Sequence, residues 1–254
     1  MKRALVTGAG RRLGRAMALD LAARGHDVAV HYGRSAQAAD EVVRDIRAMG
    51  RGAVAVQADL LDEDGVQALL ARAAQALGGA ITLLVNNASV FEEDRVQDAT
   101  RGSWDRHIES NLRAPFVLTQ ALAAQVPDPI PDARGEPVAQ GLVVNMIDQC
   151  VRNLTPEFAS YTIAKSGLWT LTRTAAQALA PRVRVNGIGP GPTLKAAHQS
   201  EAEFAASRRA TLLERGANES DITGALAYFI SAPAVTGQLL CVDGGQHLGW
   251  HEGA

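Results

Sequence analysis

The sequence predicts one Rossmann-type α/β domain over residues 1–254, a doubly wound parallel sheet of about seven strands with helices on both faces. Three observations predict it. Short β-branched or apolar runs alternate with longer alanine- and leucine-rich stretches of helical period. The first apolar run ends in a glycine turn, Thr7-Gly8-Ala9-Gly10-Arg11-Arg12-Leu13-Gly14, and a helical pattern follows directly. The 254 residues, 47% hydrophobic and 20% charged, suffice for one large core under a polar surface.

In chain order, the strand candidates are Ala4–Val6, Asp27–His31, Ala53–Gln57, Ile81–Val85, Leu142–Met146, Arg182–Gly187 and Leu239–Val242. The helix candidates between them are Leu13–Ala23, Ala36–Met49, Asp64–Leu77, Ser103–Ala124, Tyr161–Leu179 and Ser220–Ser231. Such alternation requires right-handed crossovers, and it admits a flavodoxin-like sheet as well until motifs decide. No repeat or linker divides the chain. The stretch from Pro127 to Pro137 holds too much proline for a helix and reads as a surface loop. From Gly189 to about Asn218 only a broken helical pattern survives. Following a strand on the carboxyl side of the sheet, it is either a substrate lid or surface elaboration.

Composition excludes some partners. The formal net charge is −2 and no lysine/arginine run is long enough for a nucleic-acid arm, which argues against nucleic acid. No apolar stretch reaches membrane-span length, and the N-terminus runs straight into a strand without a signal-peptide pattern. The expectation is a cytoplasmic protein with no membrane partner, whose Cys150 and Cys241 are reduced thiols.

A glycine turn at the first strand–helix junction lets backbone approach a phosphate at the helix N-terminus. Gly8, Gly10 and Gly14 are not spaced as G-x-G-x-x-G. The second strand ends in His31-Tyr32-Gly33-Arg34-Ser35, with no acid to accept from a ribose hydroxyl. Arg34 offers a guanidinium fork and Ser35 a hydroxyl, a pairing suited to a 2′-phosphate and hence to NADP(H); the alternative is a solvated arginine. Arg12 can approach the same phosphate or the substrate. Farther on, Tyr161 and Lys165 stand four apart on one helical face. An ammonium beside a phenol lowers the phenol pKa, making tyrosine a usable acid or base.

These motifs together resemble the short-chain dehydrogenase/reductase family across nearly the whole chain. The matching residues are Thr7-Gly8…Gly14, Asp59-Leu60, Asn86-Asn87-Ala88, Asn111, Tyr161…Lys165, Arg184-Val185-Asn186-Gly187, Pro190-Gly191 and Val242-Asp243-Gly244-Gly245. The resemblance implies an oxidoreductase that assembles as a homodimer or homotetramer. It implies that Tyr161, Lys165 and Asn111 are catalytic, with Asn111 supporting a proton-relay water and Lys165 also binding the nicotinamide ribose. Asp59 would meet the adenine, Asn87 would line the cofactor, and Pro190 and Gly191 would flank the nicotinamide. Gly8, Arg11, Arg12, Leu13, His31, Tyr32, Arg34, Ser35, Leu60, Ala88, Ser89, Met146, Tyr161 and Thr193 complete the expected cofactor contacts.

Two departures narrow the resemblance. Arg12 stands where most members carry glycine, and Asp148 stands where the catalytic serine is expected. Both resemble the pteridine reductase and dihydromonapterin reductase branch, as do the residues around Arg34 and Asn87-Ala88-Ser89-Val90-Phe91. That branch implies a pterin contacted by Arg12, Ser89, Phe91, Asp148 and Tyr161, with Phe91 stacking on the ring and Asp148 joining Tyr161 as a catalytic group. Core packing remains the other reading of Phe91, and a turn residue in a degenerate enzyme that of Asp148. The function expected is NADPH-dependent reduction of a small substrate, a pterin or related C=N compound. A ketone, 3-oxoacyl or sugar reductase and a non-catalytic NADP(H) sensor are the alternatives. No metal is expected, since His26, His107, His198, His247 and His251 form no ligand cluster with cysteines or carboxylates, and the tail from Gly244 to Ala254 reads as non-helical. Trp104 and Trp169 read as packing residues.

Overall fold

The computed structural model describes residues 2–196 and 199–249, so that His198 and His251 lie outside the described residues. The chain runs β1 (Lys2–Val6), α1 (Arg12–Ala23), β2 (His26–Tyr32), α2 (Ala36–Ala48), β3 (Ala53–Gln57), α3 (Glu63–Ala76) and β4 (Leu83–Asn86). There follow α4 (Arg101–Ile108), α5 (Ala114–Gln125), β5 (Ile130–Pro131), β6 (Pro137–Val138), β7 (Gly141–Met146) and α6 (Ala159–Leu179). The last elements are β8 (Val183–Pro190), α7 (Glu201–Arg209), α8 (Glu219–Ser231) and β9 (Leu239–Val242).

Seven strands form one parallel sheet in the order β3-β2-β1-β4-β7-β8-β9. This is the doubly wound Rossmann arrangement, and the flavodoxin-like alternative falls on strand order. Side-chain alternation explains the two layers. Ala4 and Val6 of β1, Val28 and Val30 of β2, and Leu142 and Val144 of β7 face Met17, Leu21, Val42, Ile46, Leu226 and Phe229. The intervening Leu5, Ala29 and Val143 face Leu69, Leu70, Leu118, Leu122 and Ala175 on the other side. Strand order reverses between β1 and β4, and a crevice opens there beyond their carboxyl ends.

Three local features depart from the sequence reading. The helix expected over Ser103–Ala124 is interrupted by a π turn, Glu109–Arg113. Pro115, in the first turn of α5, has no N–H to return to the Asn111 carbonyl, and the wider turn precedes it. The broken pattern after β8 contains α7, started by a capping box in which Ser200 and Glu203 bond reciprocally. A short 3-10 turn at Gln246–Leu248 stands where no helix was expected. The proline-rich loop is closed by the small antiparallel pair β5–β6. Among the described residues, no helix is long and apolar enough to cross a membrane.

Candidate active site

A cleft of about 700 Å³ lies over the carboxyl ends of β1, β4, β7 and β8, within the roughly 300–1,000 Å³ range of small-molecule sites. Its floor on the β1 side is made largely of backbone. Gly8 adopts φ +62°, and a Cβ on Gly14 would overlap the Gly8 carbonyl oxygen and stand 2.6 Å from Asn87 Nδ2. The Thr7 hydroxyl oxygen accepts from the N–H groups of Asn87 (2.8 Å) and Ala88 (2.9 Å). Asn87 Nδ2 donates back to the Thr7 carbonyl at 2.8 Å. Thr7 thus ties β1 to β4, a role that sequence reasoning missed. The first turn of α1 has no acidic residue, and its N-cap, Arg11, makes no side-chain cap. Its N–H groups are therefore open to an anion.

Gly8, Arg11, Arg12, Leu13, Asn87, Ala88, Ser89, Met146, Tyr161, Lys165, Pro190, Gly191 and Thr193 line this cleft. The remaining expected cofactor residues sit at the ends of β2 and β3. Arg34 and Asp59 are exposed there, and the Ser35 hydroxyl faces Gly10. Leu60 packs on the core beneath α3, and Tyr32 packs on the opposite layer. His31 is buried under the glycine turn. Its Nδ1 accepts from the Gly8 N–H (3.0 Å), so Nε2 donates to the Ala58 carbonyl (3.1 Å). Burial lowers its pKa to about 4. Both ring nitrogens serve the chain itself, which corrects the expectation of a cofactor contact and makes His31 a support for the loop.

Arg12 has φ +53°, a backbone region that favours glycine, which accounts for the usual residue there. Its guanidinium spans the cleft and donates to the carbonyls of Lys195 (2.9 Å) and Leu194 (3.1 Å). Leu194, Ala196, Gln199, Phe204 and Ser207 line the cleft from that side. The segment after β8 is therefore a wall of the site.

β7 and the start of α6 bring the remaining groups together. The Tyr161 hydroxyl donates to Asp148 Oδ2 at 2.8 Å, and Asp148 Oδ1 accepts from the Cys150 N–H at 2.8 Å. Lys165 Nζ donates to the Met146 carbonyl (2.8 Å) and lies 5.5 Å from the Tyr161 ring centroid. The expectation of a lowered phenol pKa is overturned. Burial, then the Asp148 carboxylate, push the Tyr161 phenol well above its ordinary value. Burial also pulls Lys165 down to about 8. The phenol is held as a protonated donor.

Phe91 is 44% exposed, which removes the core-packing reading. Its ring stacks on Phe158 with centroids 4.3 Å apart at 12°, and meets the Tyr161 ring edge-on at 4.7 Å and 71°. Phe158, in the left-handed conformation just before α6, is a second residue that sequence reasoning missed. Asn111 does not reach the cleft. From the π turn its side chain accepts from the Val90 N–H (2.9 Å) and donates to the Val90 carbonyl (2.8 Å), fixing the loop that carries Ser89 and Phe91. Arg184 and Asn186 likewise donate to carbonyls of the last turn of α8 and of the α8–β9 connection.

Two smaller expectations need correction. Cys241, Asp243 and His247 do converge, their ligand atoms lying within 4.8 Å of one another. Asp243 follows Cys241 by two residues just past β9, and the 3-10 turn returns His247 to it. The Asp243 carboxylate accepts from the N–H groups of Gly245 (3.0 Å) and His247 (2.8 Å), and from the His247 ring (2.7 Å), as a turn-forming carboxylate does. Trp104 is 39% exposed, and the Trp169 ring lies beneath Arg152 and Arg173. Cys150 and Cys241 are free thiols.

A family profile described as short chain dehydrogenase matches residues 2–205. The chain belongs to the short-chain dehydrogenase/reductase family. Its enzymes are oxidoreductases, and the fold is that of the family. A solved structure of FolM alternative dihydrofolate reductase 1 from Brucella canis, complexed with NADP, is 40% identical with a TM-score of 0.90, covering 99% of this chain and 96% of that one. Its counterpart from Brucella suis, also with NADP, is 41% identical with a TM-score of 0.92, covering 99% and 97%. The 3-oxoacyl-[acyl-carrier-protein] reductase of Staphylococcus aureus is 32% identical over 252 residues, 97% of this chain and 98% of that protein.

Proposed function

We propose that this family member is an NADPH-dependent reductase of a pterin, a dihydropteridine or dihydrofolate-like compound with a C=N bond. The single observation that carries the substrate class is the Tyr161–Asp148 hydrogen bond, which puts a carboxylate where a ketone reductase uses a hydroxyl. The likeness to the FolM dihydrofolate reductases, crystallised with NADP, supports it.

The cleft fits NADP(H). Gly14 admits no Cβ and Gly8 holds a positive φ, the uncapped α1 N-terminus favours a pyrophosphate, and exposed Arg34 beside Ser35 favours a 2′-phosphate. When bound, the cofactor supplies the hydride that goes to the substrate carbon. Tyr161 holds the proton for the substrate nitrogen, and Asp148 orients the phenol through Oδ2. Met146 anchors Lys165 beneath the cofactor floor. Phe91, backed by Phe158, offers a flat surface for a nitrogen-rich ring. An ionised Asp148 also accepts from ring N–H groups and repels a developing alkoxide, so it disfavours ordinary ketones.

A cytoplasmic location and a dimer or tetramer belong to the same reading. Free thiols support the first, and exposed Leu212, Leu213 and Leu248 near the end of the chain support the second. A 3-oxoacyl substrate is the competing reading, favoured by the Staphylococcus aureus relative. Loss of NADPH absorbance with 7,8-dihydrofolate, a dihydropteridine, a 3-oxoacyl thioester and a simple ketone decides between them. Turnover of the dihydro-ring compounds at the highest kcat/KM supports the proposal; exclusive turnover of the thioester or the ketone refutes it.

A further inference from the structure

Asp94, His107 and Ser160 form a buried cluster that the chemistry above does not use, with exposures of 6%, 0% and 1%. The Glu92 N–H donates to His107 Nε2 at 3.1 Å, so Nε2 is an acceptor and the proton of a neutral ring sits on Nδ1. Nδ1 then donates to the Ser160 hydroxyl oxygen at 2.7 Å, and that hydroxyl donates to Asp94 Oδ2. Asp94 Oδ1 accepts from the Ser160 N–H at 3.0 Å. The same three residue types form nucleophiles in hydrolases, but there the serine gives its proton to the histidine. Here the polarity is reversed and the serine is sealed from substrate, so the cluster is not a nucleophile.

Its place in the fold says what it holds. Glu92 follows Phe91, and Ser160 precedes Tyr161. The N-cap of α6, Phe158, makes no side-chain cap. Asp94 supplies that cap from another loop, taking the Ser160 N–H on its carboxylate and the Ala159 N–H on its carbonyl (3.0 Å). The His107 ring also meets the Tyr161 ring edge-on at 6.0 Å.

We propose that Asp94, His107 and Ser160 are a positioning unit that holds the Phe91 ring and the Tyr161 phenol in register, so that one buried hydrogen-bond chain sets both substrate stacking and proton donation. This rests on the reading of Phe91 as the stacking surface and Tyr161 as the acid. Burial lowers the His107 pKa against the opposing pull of Asp94 and Glu92, with Arg106 and Lys165 adding to the lowering. Burial raises Asp94, but hydrogen bonds from Ser160 and Ser103 and the nearby His107 bring it below its usual range. The chain therefore keeps one polarity near neutral pH.

Two variants separate the two ends. Ser160→Ala removes the hydroxyl that joins His107 to Asp94 and leaves the backbone cap of α6 in place, and is expected to lower kcat for 7,8-dihydrofolate about tenfold with KM within about twofold, the size of a charge-assisted hydrogen bond. His107→Asn keeps a donor near Nδ1 but loses the acceptor for Glu92, and is expected to raise KM about fivefold with kcat nearly unchanged. Should Ser160→Ala not fold, Asp94→Asn tests the same end. Two NMR readouts need no substrate. Long-range proton–nitrogen spectra are expected to show His107 protonated on Nδ1, and ring–ring contacts between Phe91 and Tyr161 are expected in the wild type and lost in either variant. Contacts that persist in both variants, an Nε2-protonated His107, or kcat and KM that move together would overturn the positioning unit. Absence of dihydrofolate turnover by the wild type would instead count against the pterin reading, and the spectra would still decide this one.

Discussion

On the β1–β4 side of the cleft, the surface is built from backbone and short side chains: the Gly8–Gly14 turn, Thr7 and the first turn of α1, with Asn87 tied to Thr7 from the end of β4. On the β7–α6 side it is built from long side chains that arrive from separate segments. Asp148 follows β7, Tyr161 and Lys165 ride on α6, Phe91 comes from the loop after β4, and Phe158 enters in a left-handed turn. On the proposed reading, the first side accepts phosphate and ribose in one geometry. The second joins a buried hydroxyl to a flat apolar surface, and on the proposed reading small changes there select among substrates. Substitutions on the two sides should therefore fail differently, one in cofactor affinity and the other in turnover or substrate choice.

The largest effect expected is on the α6 side. Tyr161→Phe removes the only hydroxyl bonded to Asp148 Oδ2 among the described residues, and turnover should fall by about 10²–10⁴, the share of general acid catalysis. NADPH affinity, measured by fluorescence titration, should stay within about twofold. Retention of half the turnover would take Tyr161 out of the chemistry. On the other side, Arg34→Ala should weaken NADPH binding about tenfold or more and leave NADH unaffected, since only the 2′-phosphate loses a charged partner. Equal losses for both cofactors would remove Arg34 from the phosphate site.

Phe91→Ala should raise KM for a dihydropterin roughly three- to tenfold, the size of a stacking contact, while KM for a small aliphatic ketone changes little. Equal shifts would make Phe91 a wall residue. The smallest effect concerns the support beneath the glycine turn. His31 is neutral in the folded chain with a pKa near 4, whereas an unfolded histidine titrates near 6.5. Below 6.5 the unfolded state takes up a proton that the folded state refuses, so stability falls as pH drops toward 4. The wild type should lose roughly 2 kcal/mol more than His31→Gln between pH 7 and pH 5. Parallel denaturant midpoints for the two proteins would contradict this.

The same division explains what could be read in the chain. β3 and β9 were legible to the residue because their β-branched and apolar runs start after Gly52 and Gln238 and end at Gln57 and before Asp243. The glycine turn, Asn87 and the Tyr161–Lys165 pair were legible because their meaning lies in local spacing. The Tyr161 pKa was not, since a four-residue spacing says nothing of burial or of a carboxylate thirteen positions earlier. Phe158 and Thr7 were missed for related reasons. A single aromatic in an irregular loop has no period, and a threonine hydroxyl ending a strand does not announce the two N–H groups it will accept. His31 was misread because its strand position is visible while its inward direction depends on the neighbouring Ala58 loop. The Asn111 π turn needed Pro115 to be weighed against an otherwise continuous helical pattern.

On the proposed reading, substrate choice turns on Asp148. The most direct measurement is kcat/KM of the purified wild type and Asp148→Ser with NADPH, each on a dihydropterin and on a simple ketone. The wild type is expected to prefer the dihydropterin. The variant is expected to lose that activity by at least about tenfold, the value of a charge-assisted hydrogen bond, while keeping or gaining ketone reduction. A wild type that reduces the ketone efficiently, with neither activity altered by Asp148→Ser, would contradict the pterin assignment.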